Sequence, residues 1–291
     1  MSFLDIIKAI IFGIVEGVTE WLPVSSTGHM ILLNEIMPLT IGDNPDEFYS
    51  MFEVVIQLGA IMAVVILFWD KIWPFGKSEP GKHIPYSKTG FGRYLKKDVF
   101  VLWFHIIVSC IPAVIVGLLF DDFFEALFYN YQTVAIMLIL VGIAFILVEA
   151  LYRGRKARIK RIRDISYPMA FIIGLFQMIA AIFPGTSRSG ATIIGALIFG
   201  VSRKVAAEYT FYLAIPVMFG ASLLKIIKYG LAFSFAQVVI LIIAMLVAFA
   251  VSMFIIRFLM DYIRKHDFKV FGYYRIVLGV IVLICGILGV I

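Results

Sequence analysis

Two short stretches decide how this chain folds: Pro23-Val24-Ser25-Ser26-Thr27-Gly28, inside the apolar segment 5–36, and Pro184-Gly185-Thr186-Ser187-Arg188-Ser189-Gly190, inside the apolar segment 166–199. Each puts helix breakers and hydroxyl groups into sequence that is otherwise apolar enough to lie in a bilayer. At that depth, irregular backbone is tolerated only where it is buried in protein or lines a cavity. We therefore predict two interrupted helices that bring their polar residues to a common site.

The composition around these stretches indicates a membrane protein. Of the 291 residues, 62% are hydrophobic and only 15% are charged, whereas soluble domains carry about 25% charged residues. The net charge of +6 comes from basic residues in loops between apolar runs, which is typical of membrane topology and not of nucleic-acid binding. Cys110 and Cys285 lie far apart inside apolar runs, so neither a disulfide nor a zinc site is expected.

The expected fold class is all-α: a polytopic membrane protein with six transmembrane helices plus two re-entrant helical hairpins in an inverted-topology repeat. Runs of about 20 apolar residues can cross the hydrocarbon core. Six runs qualify, at 50–69, 99–120, 132–152, 205–228, 234–260 and 271–291. The hairpins are segments 5–36 and 166–199. Alternatively, each segment could form two short spans of roughly 13 to 16 residues. This arrangement also returns the chain to the side from which it entered, so it stays open.

The loop charges predict the orientation. Basic residues of inner loops are Lys71, Lys77, Lys82, Lys88, Arg93, Lys96 and Lys97, then Arg153, Arg155, Lys156, Arg158, Lys160, Arg161 and Arg163, then Arg264, Lys265 and Lys269. Acidic residues of outer loops are Asp43, Asp46 and Glu47, then Asp121, Asp122 and Glu125. By the positive-inside rule, the first hairpin should enter from outside and the second from inside.

An internal repeat supports this plan. Residues 13–26 align with residues 174–187 at a shift of 161 positions, with glycine, proline and serine in matching places. We divide the single membrane domain 1–291 into a first repeat, 1–152, and a second repeat, 166–291, each a hairpin plus three spans. An odd number of spans inverts the second repeat relative to the first, as in many transporters.

In the first hairpin, acids precede the break and a histidine follows it. Glu16 and Glu20 are four residues apart and share one helix face, within reach of a single cation. Carboxylates at membrane depth indicate function, although a polar pair that packs helices is an alternative. Ser26 and His29 are three apart, so a hydroxyl nucleophile with an adjacent base, attack by His29 itself, or an ordinary cap at Ser26 all stay open.

The second hairpin carries the expected anion-binding group. Arg188 is the only basic residue of segment 166–199, and its planar guanidinium matches phosphate oxygens. Two helix N-termini at the breaks would add partial positive charge. The alternative is that Arg188 only neutralises Glu16 or Glu20, with no ligand.

Other polar residues of the apolar runs are expected to pair or to reach the surface rather than to act in chemistry. Their positions near span ends support this expectation. They are Glu53, Gln57, His105, Glu149, Glu208 and Arg257.

The whole chain resembles the undecaprenyl-diphosphate phosphatase family linked to bacitracin resistance. The family's Glu/Gln-x-x-x-Glu motif is matched by Glu16 and Glu20, with the following serine and histidine at Ser26 and His29. The Pro-Gly-x-Ser-Arg-Ser-x-x-Thr motif is matched by Pro184, Gly185, Ser187, Arg188, Ser189 and Thr192.

The resemblance implies removal of the terminal phosphate from undecaprenyl diphosphate in a bacterial cytoplasmic (inner) membrane, at a site open to the outer face. It implies a divalent cation, Mg²⁺ or Ca²⁺, for which we expect Glu16 and Glu20 as ligands. The expected catalytic residues are Glu20, Ser26, His29 and Arg188, and the expected phosphate-binding residues are Ser26, Thr27, Ser187, Arg188, Ser189 and Thr192. Expected partners are a polyprenyl diphosphate and membrane lipids, with no nucleic acid, and a homodimer stays open.

Two other functions fit part of the pattern. A lipid or small-anion transporter or flippase would also use an inverted repeat with interrupted helices. A second class of membrane lipid phosphatase has similar Pro-Ser-Gly-His and Ser-Arg motifs. That class needs another histidine shortly after Ser-Arg, and residues 189–200 contain none, which counts against it.

Overall fold

The structure, a computed structural model, describes residues 2–76, 83–87, 89–230 and 232–290. Three of the predicted inner-loop lysines, Lys77, Lys82 and Lys88, lie outside these residues. The side chains of the predicted outer-loop acids Asp121, Asp122 and Glu125 lie outside the description as well.

The described residues form α-helices joined by loops with short 3₁₀ turns and isolated β-bridges. The α-helices are α1 (Phe3–Thr19), α2 (Ser26–Ile36), α3 (Pro45–Val55), α4 (Gln57–Leu67), α5 (Trp69–Ile72), α6 (Lys97–Phe128), α7 (Tyr131–Leu151), α8 (Tyr167–Ile182), α9 (Arg188–Ile198), α10 (Arg203–Tyr229), α11 (Phe235–Tyr262) and α12 (Lys269–Ile287). The predicted all-α class is confirmed.

Six helical segments of the described chain are long and apolar enough to cross a membrane. They correspond to the six predicted runs, with α3 and α4 together forming the first, Pro45–Leu67. Two of them, α6 and α10, continue through an internal proline, Pro112 and Pro216. The protein is therefore a multi-pass membrane protein.

The two interrupted segments are unequal hairpins. Their first arms, α1 and α8, have 17 and 16 residues, while their second arms, α2 and α9, have 11 each. At 1.5 Å per residue, 11 residues reach roughly 16 Å, about half of a hydrocarbon core. The length of the second arms therefore favours re-entrant hairpins over pairs of short spans. The side from which each hairpin enters stays a prediction.

Both breaks end in the same backbone conformation. Ser25 and Ser187 have φ of 74° and 68° and are the non-glycine residues with positive φ in the described chain. Each occupies the N-cap position of its second arm. The structural match is thus Ser25 with Ser187, 162 positions apart, so the 161-position alignment is wrong after the proline. The second break holds one more residue than the first, which places Arg188 where the first hairpin has Ser26.

Helix packing follows the same pattern in both halves. Helix α1 packs along α11, and α8 packs along α6, which is the counterpart of α11 in the first repeat. The counterparts α7 and α12 pack on each other, with reciprocal close approach at Gly142 and Gly272. Small residues allow such contacts between membrane helices. An inverted repeat predicts this arrangement, and the inversion itself stays a prediction.

Candidate active site

An ion pair joins the two hairpins. Arg188, the first residue of α9, donates from Nη2 to Oε1 of Glu20 at 2.9 Å and from Nη1 to the carbonyl of Thr210 at 2.9 Å. The two charged side chains are only 12% and 9% exposed. The structure therefore brings the arginine of the second break to the acid of the first, and one buried charge neutralises the other.

Ser26 is the third member of this cluster. Its Oγ donates to Oε2 of Glu20 at 3.0 Å. The cap position belongs to the preceding residue, Ser25, whose Oγ is buried and has no hydrogen-bond partner among the described residues. Ser26 is therefore not an ordinary helix cap, and its hydroxyl is free of any role in holding α2 together.

Three other hydroxyl groups of the second hairpin hold the start of α9. Ser187 Oγ accepts from the Gly190 amide at 3.2 Å, and Ser189 Oγ donates to the Glu20 carbonyl at 3.3 Å. Thr192 Oγ1 donates to the Arg188 carbonyl at 2.9 Å and lies 2.8 Å from Thr210 Oγ1. These bonds fix the backbone that carries the arginine.

A cavity of about 240 Å³ opens beside Ser26. Ser26 and Thr27 line it from α2, and Glu16, Glu53 and Gln57 are among the residues that line it from α1, α3 and α4. Glu16 is buried, and neither of its carboxylate oxygens has a hydrogen-bond partner among the described residues. Glu53 accepts a hydrogen bond from the Tyr129 hydroxyl at 2.9 Å.

The predicted cation ligands, Glu16 and Glu20, are divided between two environments. Glu20 is engaged by Arg188 and Ser26, whereas Glu16 faces the cavity together with Glu53. Because buried polar atoms normally find partners, the unpaired oxygens of Glu16 fit a cation. No group of three or more His, Cys, Asp or Glu residues suits a metal within the described part of the chain. Two carboxylates suffice for Mg²⁺, which keeps water and binds substrate phosphates.

His29 lies on the flank of this site. Its Nδ1 is 2.7 Å from the Ser25 carbonyl and its Nε2 is 2.7 Å from the Tyr274 hydroxyl, and the two rings stack at 5.6 Å. It is not among the residues that line the cavity. The possible Ser26–His29 pair is not formed in this structure, where the group bonded to the serine hydroxyl is Glu20.

Arg275 is a site residue that the sequence reasoning missed. It is completely buried in α12 and donates to three backbone carbonyls, those of Pro23 at 3.3 Å, Gly185 at 2.8 Å and Thr186 at 2.9 Å. It therefore ties both breaks to one helix. The signal was available: Arg275 stands inside the apolar run 271–291, just as Arg188 stands inside its own.

The other polar residues of the spans behave in two ways. Glu149 pairs with Arg203, and Glu208 pairs with Lys71 at 2.7 Å, as expected for structural residues. Glu53 and Gln57, in contrast, line the cavity. The expectation that they have no part in the site is therefore not supported for these two.

The model of the family described as "Bacitracin resistance protein BacA" matches residues 9–281. The chain belongs to this family. Among BacA-type relatives, a Desulfitobacterium hafniense protein named "Undecaprenyl-diphosphatase" is 57% identical, with 98% of this chain and 97% of the relative covered. "Undecaprenyl-diphosphatase 1" of Clostridium acetobutylicum is 58% identical, with 98% of both chains covered. "Undecaprenyl-diphosphatase" of Enterococcus faecalis is 52% identical over 98% of each chain.

The BacA match confirms the resemblance drawn from the two motifs. It spans both breaks and the part of α12 that carries Arg275. The whole cluster of Glu20, Ser26 and Arg188, with the cavity beside it, thus lies inside the segment that defines the family.

Proposed function

We propose that this protein is an integral-membrane phosphatase that hydrolyses undecaprenyl diphosphate to undecaprenyl phosphate and inorganic phosphate, recycling the lipid carrier for cell-wall synthesis. The full-length relatives named above support the substrate. The observation that carries the chemistry is the chain Arg188–Glu20–Ser26, whose last member, Ser26, lines a cavity that also holds the unpaired carboxylate of Glu16. It combines an anion-binding group, a base and a hydroxyl.

Substrate binding would exchange partners at Arg188. In this structure Glu20 accepts a hydrogen bond from the Arg188 guanidinium at 2.9 Å. A diphosphate offers more charge and a better-matched set of oxygens than one carboxylate, so Arg188 would turn to it. Glu20 would then lose its counter-ion and become a stronger base, at the moment when the substrate is in place.

Ser26 is the proposed nucleophile. Its oxygen attacks the terminal phosphorus, its proton goes to Glu20, and the bridging oxygen leaves with the lipid monophosphate, which takes up that proton. Water then attacks the phosphoserine with Glu20 as the base, the proton passes to the departing Ser26 oxygen, and inorganic phosphate is released. Such transfer depends mostly on positioning and on stabilising negative charge. The contact between Ser26 and Glu20 supports this assignment over attack by His29.

Glu16 and Glu53 are the proposed cation ligands. A Mg²⁺ or Ca²⁺ ion bound there would offset negative charge that develops on the phosphate oxygens. His29, held between the Ser25 carbonyl and Tyr274, is proposed to fix the start of α2 and so the position of Ser26.

We place the protein in the bacterial cytoplasmic membrane with this cavity facing outward. The distribution of basic residues supports that orientation. A homodimer stays a prediction, which the mass of the detergent-solubilised protein would check.

The decisive experiment is phosphate release from undecaprenyl diphosphate by purified protein in detergent micelles, where there is no second compartment. A phosphatase releases phosphate there, and Arg188→Ala and Glu20→Ala should abolish the release. A transporter or flippase with the same fold would release none. Near-wild-type turnover in either variant would refute the proposed site.

A further inference from the structure

A second, larger cavity lies at the other end of the molecule. Its volume is about 590 Å³, and it is lined by the first turns of α6 and α10 and by the loop before α8. Phe124 of α6 and Lys225 of α10 line the first cavity, whereas His105 of α6 and Tyr212 of α10 line the second. The 13 residues between Tyr212 and Lys225 correspond to roughly 20 Å of helix. The two cavities are therefore separate.

The second cavity has an excess of positive charge. Lys97, Lys160, Arg163 and Lys204 line it, and none of the four forms an ion pair with a described residue. Its two carboxylates, Asp98 and Glu208, are too few to offset these four cations, and Glu208 already pairs with Lys71. Asp98 accepts from His83 at 2.8 Å, and Glu208 accepts from Lys71 at 2.7 Å and from the Tyr212 hydroxyl at 2.6 Å.

A buried histidine points to a ligand independently of these cations. His105 is only 5% exposed and lines the cavity. Its ring packs edge-on against Tyr167 with centroids 4.3 Å apart, but neither ring nitrogen has a hydrogen-bond partner among the described residues. The ring nitrogens are not enclosed by the described residues, so they are accessible from the cavity and available to a ligand there.

The wall and the surroundings of the cavity indicate a lipid rather than a soluble anion. Val99, Leu102 and Val205 form an apolar wall that continues along the spans. Tyr167, whose ring packs against His105, is 49% exposed, and such aromatic residues concentrate at the level of the lipid headgroups. An apolar wall at headgroup depth suits an acyl chain, which inorganic phosphate lacks.

We infer that this cavity binds the phosphate group of an anionic phospholipid from the leaflet opposite the active site. The unpaired cations and the buried imidazole would bind the phosphodiester, and the apolar wall would accept the upper part of an acyl chain. Basic pockets between membrane helices bind such headgroups. This site is distinct from the cluster at Arg188 and requires no chemistry at it.

The test is native mass spectrometry of the purified protein with phosphatidylglycerol, compared with phosphatidylcholine of the same acyl chains. The wild type should retain phosphatidylglycerol preferentially, and 10 mM inorganic phosphate should not displace it. Replacing Lys160, Arg163 and Lys204 together by glutamine should weaken retention roughly tenfold or more, since each basic residue contributes about 1 kcal/mol at such a surface. His105→Phe should weaken it with no change of charge.

A matched control removes three charges outside the cavity. Arg153, Arg257 and Lys265 are exposed, form no ion pair with a described residue and do not line the cavity, so their triple glutamine variant should retain the lipid as the wild type does. Phosphate release in pure detergent should be unchanged in all variants, which shows that they are folded. Equal retention of the two lipids by the wild type, equal loss in both triple variants, or displacement by inorganic phosphate would overturn the inference.

Discussion

Arg188 and Glu20 are 168 residues apart in the chain, yet they form a buried ion pair at 2.9 Å. The pair holds the start of α9 against the end of α1. The first hairpin supplies the negative charge and the second supplies the positive charge. A single buried charge without its partner is strongly destabilising. The pair therefore serves both the fold and the proposed reaction, and variants must separate the two roles.

Replacement of Arg188 by lysine tests whether the planar guanidinium, and not only its charge, is needed to bind the phosphate. Arg188→Lys keeps the charge but loses the planar fork, so we expect kcat for phosphate release to fall about a hundredfold or more. The thermal midpoint in detergent should fall less than in Arg188→Ala, which leaves Glu20 uncompensated. A lysine variant with wild-type kcat would contradict the exchange of partners at this residue.

Adjacent serines provide a matched test of the nucleophile. Ser26→Ala removes the hydroxyl bonded to Glu20 and should lower kcat about a hundredfold or more, leaving the residual rate of a bound substrate attacked by water. Ser25→Ala removes a buried hydroxyl with no hydrogen-bond partner among the described residues. It should leave kcat within about threefold, because alanine and serine have a similar energetic cost at the positive φ of this position. Phosphoprotein trapped by acid quench and located by mass spectrometry should carry the phosphate on Ser26.

Removal of one cavity carboxylate should change the cation requirement. Glu16→Gln deletes a charge from a group whose oxygens are unpaired, so the Mg²⁺ concentration for half-maximal phosphate release should rise about tenfold or more. Glu35→Gln, at an exposed acid outside the cavity, should leave that concentration unchanged. An identical cation dependence in both variants would exclude Glu16 as a ligand.

Arg275 is expected to hold the two breaks in position and to take no part in the reaction itself. Arg275→Met keeps much of the volume but leaves three carbonyls of the two breaks without a donor, at a cost of about 3 kcal/mol or more. We expect a lower thermal midpoint and a lower kcat, with the cation dependence of the remaining activity unchanged. Arg257→Met, at an exposed residue of α11, is the control and should alter neither quantity.

Close helix packing predicts a contrast between two glycines. A Cβ atom on Gly142 would lie 2.7 Å from the Gly272 carbonyl oxygen, whereas a Cβ on Gly117 would meet nothing within 4 Å. Gly142→Ala should therefore lower the thermal midpoint by forcing α7 and α12 apart. Gly117→Ala should leave it unchanged or raise it, because alanine is the better helix former.

The sequence predicts the spans, the two breaks and most of the residues that meet at them. Apolar length and helix breakers are local properties, and local properties can be read from one chain. The pairing of charges is not local. Whether Arg188 pairs with Glu16 or with Glu20 depends on how α1 and α9 cross. Glu53 lines the cavity because α3 packs on α10.

The one-residue difference between the breaks shows the same limit. Ser26 and Ser187 align by sequence, but the cap positions are Ser25 and Ser187. The extra residue in the second break is accommodated by Gly185 at φ 87°. A backbone conformation of this kind is not visible in residue types alone, and it places Arg188 directly after the cap residue, where it reaches Glu20.

The place of Arg275 near the end of the described chain means that the two breaks receive their hydrogen-bond donors late in synthesis. The carbonyls of Pro23 and Gly185 receive their donors from α12, the last described helix of the chain. During synthesis, both hairpins enter the bilayer before that helix exists, so their breaks must stay hydrated or bound to insertion factors. A chain truncated before α12 would therefore leave the carbonyl groups of both breaks without the donors that Arg275 supplies.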